Sequence, residues 1–454
     1  MKKAISYAKQ NHDRFINDLF ALMRIPSISA LPSHSADMTR CAEAIRERLT
    51  KAGADHAEVM PTTGAPVVYA SKTIDPKAKT VLIYGHYDVM PVEPLELWTT
   101  PPFEPEIRDG KIWGRGADDD KGQGFMHIAA FEALVAGGDL PCNVKFLFEG
   151  EEEIGSPALN VWCEEHKELL AADLILVSDT SMASLDCPTV TCGLRGLAYL
   201  DMTVTGPDRD LHSGLFGGAV ANPIDILARL IAGLHDDNGR VTIEGFYDDV
   251  VELTAEERAE IAKRPFDEEA YRSSLKVGAL QGETGYTTPE RTGVRPALAV
   301  NGIWGGHIGE GSKTVIPSQA HAKVSMRLVA NQDHNKIAEL FIKHIEREVP
   351  ASVKVEVTPS HGGAPYMMSP SHPAYKAASK AIEDVLGKPA LPFFSGGSIP
   401  VISKMSALLG AKALLLGFGL GSDNTHSPDE NYPVENFEKG IETIIRFYGY
   451  YFGQ

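Results

Sequence analysis

Cysteine is scarce in this chain, and its few copies follow no pattern. Cys41, Cys142, Cys163, Cys187 and Cys192 form no CxxC pair, and their odd number leaves one unmatched. A disulfide framework is thereby excluded as the basis of the fold, and the reducing cytosol is the expected home. Long apolar runs are also missing, since nothing approaches the ~20 residues that span a bilayer. The opening MKKAISYAKQNHDRF has two lysines with no apolar stretch behind them, so no secretory signal is expected. Positive charge is in deficit, 43 Lys and Arg against 61 Asp and Glu, for a net charge of -18. That deficit argues against nucleic-acid binding and against attachment to acidic lipid. Internal repeats and low-complexity tracts are absent as well. Together these absences predict a soluble, cytoplasmic protein that meets neither membrane nor nucleic acid.

What is present is ordinary in bulk and specific in pattern. A chain of 454 residues exceeds one comfortable core, so two domains are expected, and 43% hydrophobic with 23% charged residues suits a globular protein. Apolar residues at helical spacing (Ile5, Ala8, Phe15, Leu19, Leu22, Met23) predict an amphipathic helix over 3–24, and a second is predicted over 37–53. Four short apolar runs, 81–84, 144–148, 174–177 and 413–416, read as buried strands. Each is followed by an acid or a histidine: His86 and Asp88, the run ending in Glu152 and Glu153, Asp179, and His426. Their alternation with helical segments such as 122–136 predicts an α/β fold with a mainly parallel sheet, whose ligands collect beyond the carboxyl ends of the strands.

Between 194 and 366 the pattern changes. Residues 196–206 and 320–329 alternate polar and apolar, 223–235 and 334–348 have helical spacing, and 353–357 reads as a further strand. This predicts an α+β domain, two helices on one face of a small antiparallel sheet, inserted between a catalytic part at 1–193 and its continuation at 367–454. The stretch 237–300 is acidic and aperiodic, and loops and short helices are expected there.

The candidate metal ligands are His86, Asp119 of the acidic turn Asp118-Asp119-Asp120, Glu153, Asp179 and His426. Imidazole and carboxylate suit zinc, manganese or cobalt, and five such groups with one shared carboxylate suffice for two ions with a water between them. Glu152 and Glu153 are neighbours that cannot easily both reach one ion, which frees one of them to take the water's proton. Asp88 is placed to accept the hydrogen bond from the His86 nitrogen that faces away from the metal. Solvated acidic turns would scatter over both ends of the strands, whereas these acids gather at one. A two-metal phosphoesterase would need a basic or glycine-rich phosphate cradle, and none accompanies the acids.

The stretches GHYDVMP, GRGADDDKG, EGEEEIGS, VSDT, DLHSG, KTVIP, MRLV and GGSIP and the late His426 succeed one another in an order that resembles one family. It is that of the cytosolic nonspecific dipeptidases and carnosinases, relatives of glutamate carboxypeptidase and acetylornithine deacetylase. The resemblance extends from about residue 15 to the C terminus. It implies a dinuclear metallopeptidase with two divalent ions, Zn²⁺ or Mn²⁺. His86 and Asp179 are implied on one ion, Glu153 and His426 on the other, with Asp119 bridging. Glu152 is implied as general base, Asp88 as the orienting acid, and the Asp119–Asp120 peptide as cis.

The same resemblance implies that the inserted domain serves as a lid and as the surface of a homodimer. His212 of DLHSG would reach across the dimer to the scissile carbonyl, and Arg327 would clamp the substrate's terminal carboxylate. Thr314, His361 and Ser398 match further substrate-contact positions. The reaction implied is hydrolysis of dipeptides or short peptides with a free C-terminal carboxylate, by a metal-bridging water that Glu152 activates. The alternative is an N-acyl amino acid amidohydrolase of the same chemistry. A noncatalytic relative would have lost the base or a ligand, and all are present. One departure stands out: many relatives carry Arg-Glu immediately before Gly-Gly-Ser-Ile-Pro, where this chain has Phe394 and Ser395. The missing glutamate predicts altered recognition of the substrate's amino terminus, toward a larger or apolar first residue.

Overall fold

The structure is a computed structural model and describes residues 1–397 and 399–453. The chain divides into two compact units, one formed by Met1–Cys192, Met368–Phe393 and Lys404–Gln454, the other by Gly193–Met367 and Phe394–Ser403.

At the centre of the first unit, four strands run parallel in the spatial order Asn143–Glu149, Thr80–His86, Leu174–Val177, Lys412–Leu415. They carry the four apolar runs of the sequence, Leu416 alone falling just past the last strand, and are buried along almost their whole length, as the inner strands of a helix-covered parallel sheet must be. Val67–Lys72 and then His56–Met60 extend the sheet antiparallel beyond Asn143–Glu149, and Thr189–Leu194 pairs antiparallel with Lys412–Leu415. The fold is therefore α/β with a parallel centre and antiparallel margins. The helix Lys121–Gly137 packs against the helices Lys2–Gln10, Ser35–Ala52 and Val434–Tyr451. Its residues 121–134 are all buried, so it has no solvent-facing side and no amphipathic stripe, and its polar members Lys121, Gln123, His127 and Glu132 are enclosed with the rest.

The single helix expected over 3–24 is two, Lys2–Gln10 and His12–Met23. Asn11 separates them, its side-chain amide donating to the Tyr7 carbonyl at 3.0 Å in competition with the helical ladder.

The second unit holds a four-stranded antiparallel sheet in the order Ala297–Gly305, Gln319–Leu328, Gly196–Thr205, Lys354–Gly363. Along Gly196–Thr205 burial alternates residue by residue. Ala198, Leu200, Met202 and Val204 form one core with Val324, Met326, Leu227 and Phe341, the last two from the helices Pro223–Ala232 and His334–Glu348. The region 237–300 contains the short helices Ala255–Ala262, Glu268–Ser274 and Thr288–Gly293, and also the start of the strand Ala297–Gly305. That strand lies at the sheet edge and is exposed over much of its length, so its sequence has no alternation to read. Among the described residues, no helix is long and apolar enough to cross a membrane.

Candidate metal centre

Because the four central strands are parallel, their carboxyl ends share one edge of the sheet, and the candidate ligands lie at that edge or in the loops beyond it. His86 is the last residue of its strand, Glu152 and Glu153 open a short 3-10 turn after Glu149, and Asp179 comes just after Val177. His426 comes from the loop after Lys412–Leu415, and Asp119 from the turn that enters the helix Lys121–Gly137.

The structure gathers these side chains into two groups, His86 with Asp119 and Asp179, and Asp119 with Glu153 and His426. Within each group the ligand atoms all lie within 4.8 Å of one another. Asp119 belongs to both: its Oδ1 is 3.0 Å from His86 Nε2 and its Oδ2 is 2.8 Å from His426 Nε2. His86 Nε2 is also 3.9 Å from Asp179 Oδ2, and His426 Nε2 is 3.1 Å from Glu153 Oε2. The Asp119–Asp120 peptide is cis.

Burial and crowding set the electrostatics. Burial, reinforced by the charge of Asp119, pushes the Asp179 carboxyl well above the usual carboxylate range. Burial also raises Glu152 to about 7 and Asp120 to about 8. Burial opposes charge on His86, but hydrogen bonds to Asp119 and Asp88 outweigh it and hold the ring well above its ordinary value. Bonds to Asp119 and Glu153 raise His426 to about 10. A buried cluster of this many acids requires more positive charge than two imidazoles carry. The donor set fits divalent cations: oxygen and nitrogen only, three residues to a group, spaced to close around an ion at ~2.0–2.2 Å from each donor.

Two further acids hold this arrangement. Asp88 is fully buried, and His86 Nδ1 lies 3.1 Å from its carbonyl oxygen and 3.4 Å from its Oδ1. Its carboxylate also accepts the backbone N–H groups of Glu152 and Glu153, at 3.2 and 3.1 Å. Asp88 thus meets the imidazole through its carbonyl oxygen as well as the carboxylate singled out from sequence, and it anchors the Glu152 turn. Glu430 is an addition to the expected set. Its buried carboxylate accepts from Arg115 Nη1 at 2.8 Å and from the N–H groups of Gly116, Asp118 and Asp119 at 3.0, 3.0 and 3.2 Å. The one sequence signal for it is Arg115 itself, since an arginine bound for the interior needs a carboxylate. Gly85 gives Asp120 room: a Cβ there would lie 2.9 Å from Asp120 Oδ2, the atom that accepts the His86 N–H at 3.2 Å.

Of the expected substrate contacts, His212, Thr314, Arg327 and His361 belong to the second unit. His212 and Thr314 are neighbours, because Leu211–His212 pairs with Val315–Ile316 and the Ser213 N–H donates to the Thr314 carbonyl at 3.1 Å. His212 is exposed, and its Nδ1 accepts the Gly214 N–H at 3.0 Å. Arg327 and His361 flank the strand Gly196–Thr205 from opposite sides, opposite Leu197 and Tyr199, with the His361 and Tyr199 rings stacked at 4.8 Å. Ser395 Oγ accepts the Gly397 N–H at 3.1 Å. Ser398 lies outside the described residues.

Residues 82–449 match the peptidase family M20/M25/M40. The chain is 34% identical over 469 residues to the Cys-Gly metallodipeptidase dug1 of Schizosaccharomyces pombe, covering 98% of this chain and 97% of that one. It is 31% identical to the Beta-Ala-His dipeptidase of Homo sapiens, covering 99% and 92%. Among solved structures, the M20 family metallo-carboxypeptidase Sso-CP2 from Sulfolobus solfataricus superposes with a TM-score of 0.83 at 34% identity, covering 97% and 99%.

Proposed function

The chain belongs to the peptidase family M20/M25/M40 and is a metal-dependent hydrolase, and from that premise we propose a dinuclear dipeptidase acting on dipeptides or short peptides with a free C-terminal carboxylate. The observation that carries this reading is Asp119, whose two carboxylate oxygens lie against histidines of different ligand groups. His86 and Asp179 would hold one ion and Glu153 and His426 the other, with Asp119 available to both groups. When bound, the zinc or manganese ions supply Lewis acidity, polarising the scissile carbonyl and making the attacking water more acidic.

Glu152 takes the proton from that water and delivers it to the departing amine. Asp88 fixes the reach of Glu152 by holding its backbone. Arg327 grips the substrate's terminal carboxylate with its planar fork, and Thr314, His361 and Ser398 contact the rest of the peptide. His212 from a second subunit stabilises the oxyanion, which makes a homodimer through 194–366 part of the proposal. The specificities for which the dug1 and human relatives are named, Cys-Gly and β-Ala-His, support a dipeptide as the substrate.

The test is hydrolysis of free dipeptides, a β-alanyl dipeptide, a tripeptide and N-acetyl amino acids, with Mn²⁺ or Zn²⁺ and with or without chelator. Chelator-sensitive cleavage of the free dipeptides is expected. A second reading, an N-acyl amino acid amidohydrolase, draws on Phe394 and Ser395, which offer no carboxylate for a substrate ammonium. Cleavage of the N-acetyl compounds alone would replace the first reading by the second.

A further inference from the structure

Gln123 and His127 take no part in the chemistry above, yet both are polar side chains in a helix whose residues 121–134 are all buried. They are 3% and 2% exposed, and such groups are costly unless bonded. Standing four residues apart, they share one face of the helix. Gln123 Oε1 accepts the Phe418 N–H at 2.7 Å, and its Nε2 donates to the Thr180 carbonyl at 3.3 Å. Ser178 Oγ donates its one proton to the Leu416 carbonyl at 2.6 Å, so His127 Nε2, 2.7 Å from the same oxygen, is the donor there. Burial lowers the His127 pKa to about 3, which keeps the ring in this neutral form.

One helical turn therefore fastens two loops. Asp179 sits between Ser178 and Thr180, both of which are anchored. The same helix begins directly after Asp119 and Asp120, so it sets the distance between the two carboxylates that face His86 Nε2, Asp119 at 3.0 Å and Asp179 at 3.9 Å. His426 comes from the second of these loops but lies well beyond Phe418, in a segment closed by its own bonds. Asp423 Oδ2 accepts the Leu420 N–H at 2.8 Å and the Asp423 carbonyl accepts the Asn431 N–H at 2.9 Å, closing the His426 loop on itself.

We propose that Gln123 and His127 are positioning residues for the metal centre, fixing Asp179 against Asp119. The ion assigned to His86 and Asp179 depends on them, and the ion assigned to Glu153 and His426 does not. This rests on the two-ion reading.

The experiment titrates the full-length, chelator-stripped protein with Mn²⁺, following binding by calorimetry and electron paramagnetic resonance. The unmodified chain is compared with Gln123→Leu, His127→Leu, their combination, and Asp179→Ala. The combined variant is expected to weaken one of two binding steps by roughly ten- to a hundredfold. That step should be the one Asp179→Ala removes, and adding the two helix substitutions to Asp179→Ala should bring no further loss. His127→Gln, which keeps a donor, should recover part of the affinity. If the combined variant does not fold, Ser178→Ala, which deletes only a hydroxyl, must show the same selective weakening to a smaller degree. Equal weakening of both steps, full additivity with Asp179→Ala, or no change would overturn the positioning role alone. An unmodified chain that takes up fewer than two Mn²⁺ would overturn the two-ion reading and this proposal with it.

Discussion

The Asp88 carboxylate accepts the backbone N–H of Glu152 at 3.2 Å, while the carbonyl oxygen of Asp88 lies 3.1 Å from His86 Nδ1. One buried residue thus ties a candidate ligand to the candidate base. Asp88→Asn preserves size but turns one carboxylate oxygen into an N–H donor facing the Glu152–Glu153 amides. Both Mn²⁺ affinity and turnover should fall, by about ten- to a hundredfold. Binding and kcat unchanged from the unmodified protein would remove Asp88 from the supporting set.

Glu152→Gln separates proton transfer from metal binding. The variant keeps the backbone bond to Asp88 and the neighbouring Glu153, so both ions should still bind. Turnover should drop by roughly 10²–10⁴-fold, the usual worth of a positioned acid–base group. Metal content by atomic absorption alongside kcat decides it, and near-normal turnover with two bound ions would assign the base elsewhere.

A shared active site makes a mixing prediction. His212→Ala and Glu152→Gln subunits should each be inactive as homodimers. A heterodimer would contain one site with an intact Glu152 and an intact His212, so activity should return when the two are refolded together. Differently tagged subunits show whether heterodimers form, and their formation without activity would count against His212 acting in trans.

The Arg115–Glu430 pair predicts a large structural cost. The two side chains are 2% and 0% exposed. Glu430→Ala leaves a buried guanidinium and three backbone N–H groups without their acceptor, and truncating one partner of a buried pair costs about 3–5 kcal/mol. Urea unfolding should show that loss, and adding Arg115→Met should recover part of it. A cost below about 1 kcal/mol would mean that the loop around Asp119 is held by other contacts.

The parallel centre of the sheet is legible because inner strands are continuous apolar runs. The gathering of the candidate ligands is legible because a parallel sheet brings the residues just past each run to one edge. His86 and Asp179 stand at or just past strand ends. His426 is separated from its strand by a long loop, so the apolar run 413–416 points to it less closely and the order of motifs adds to that signal. The strand Ala297–Gly305 escapes notice because an exposed edge strand need not alternate. Asp88's hold on the Glu152 turn and Glu430's hold on the Asp119 turn are hidden for another reason. Each joins positions far apart in the chain through backbone N–H groups, which leave no trace in residue type.

Glu149 gives the pH dependence its sharpest test. It ends the strand Asn143–Glu149, and its Oε1 accepts the hydroxyls of Tyr84 at 2.6 Å and Ser156 at 2.8 Å, while its buried Oε2 has no partner among the described residues. Burial, with the charge of Asp88 adding to it, pushes this carboxyl up to about 8. An unfolded chain releases the same proton near pH 4.3. Between those values the folded protein binds more protons than the unfolded one, so stability declines as pH rises through the window and levels off above it. Glu149→Gln imitates the protonated acid at every pH and keeps the Oε1 acceptor. In chelator, the variant and the parent should unfold at similar urea concentrations near about pH 5. The variant should then gain on the parent up to about pH 8.5, by on the order of a few kcal/mol. Restoring Mn²⁺ should shrink that gap, because positive charge beside His86 favours the ionised carboxylate. Stability curves that stay parallel across the window would mean that Glu149 is already ionised in the fold.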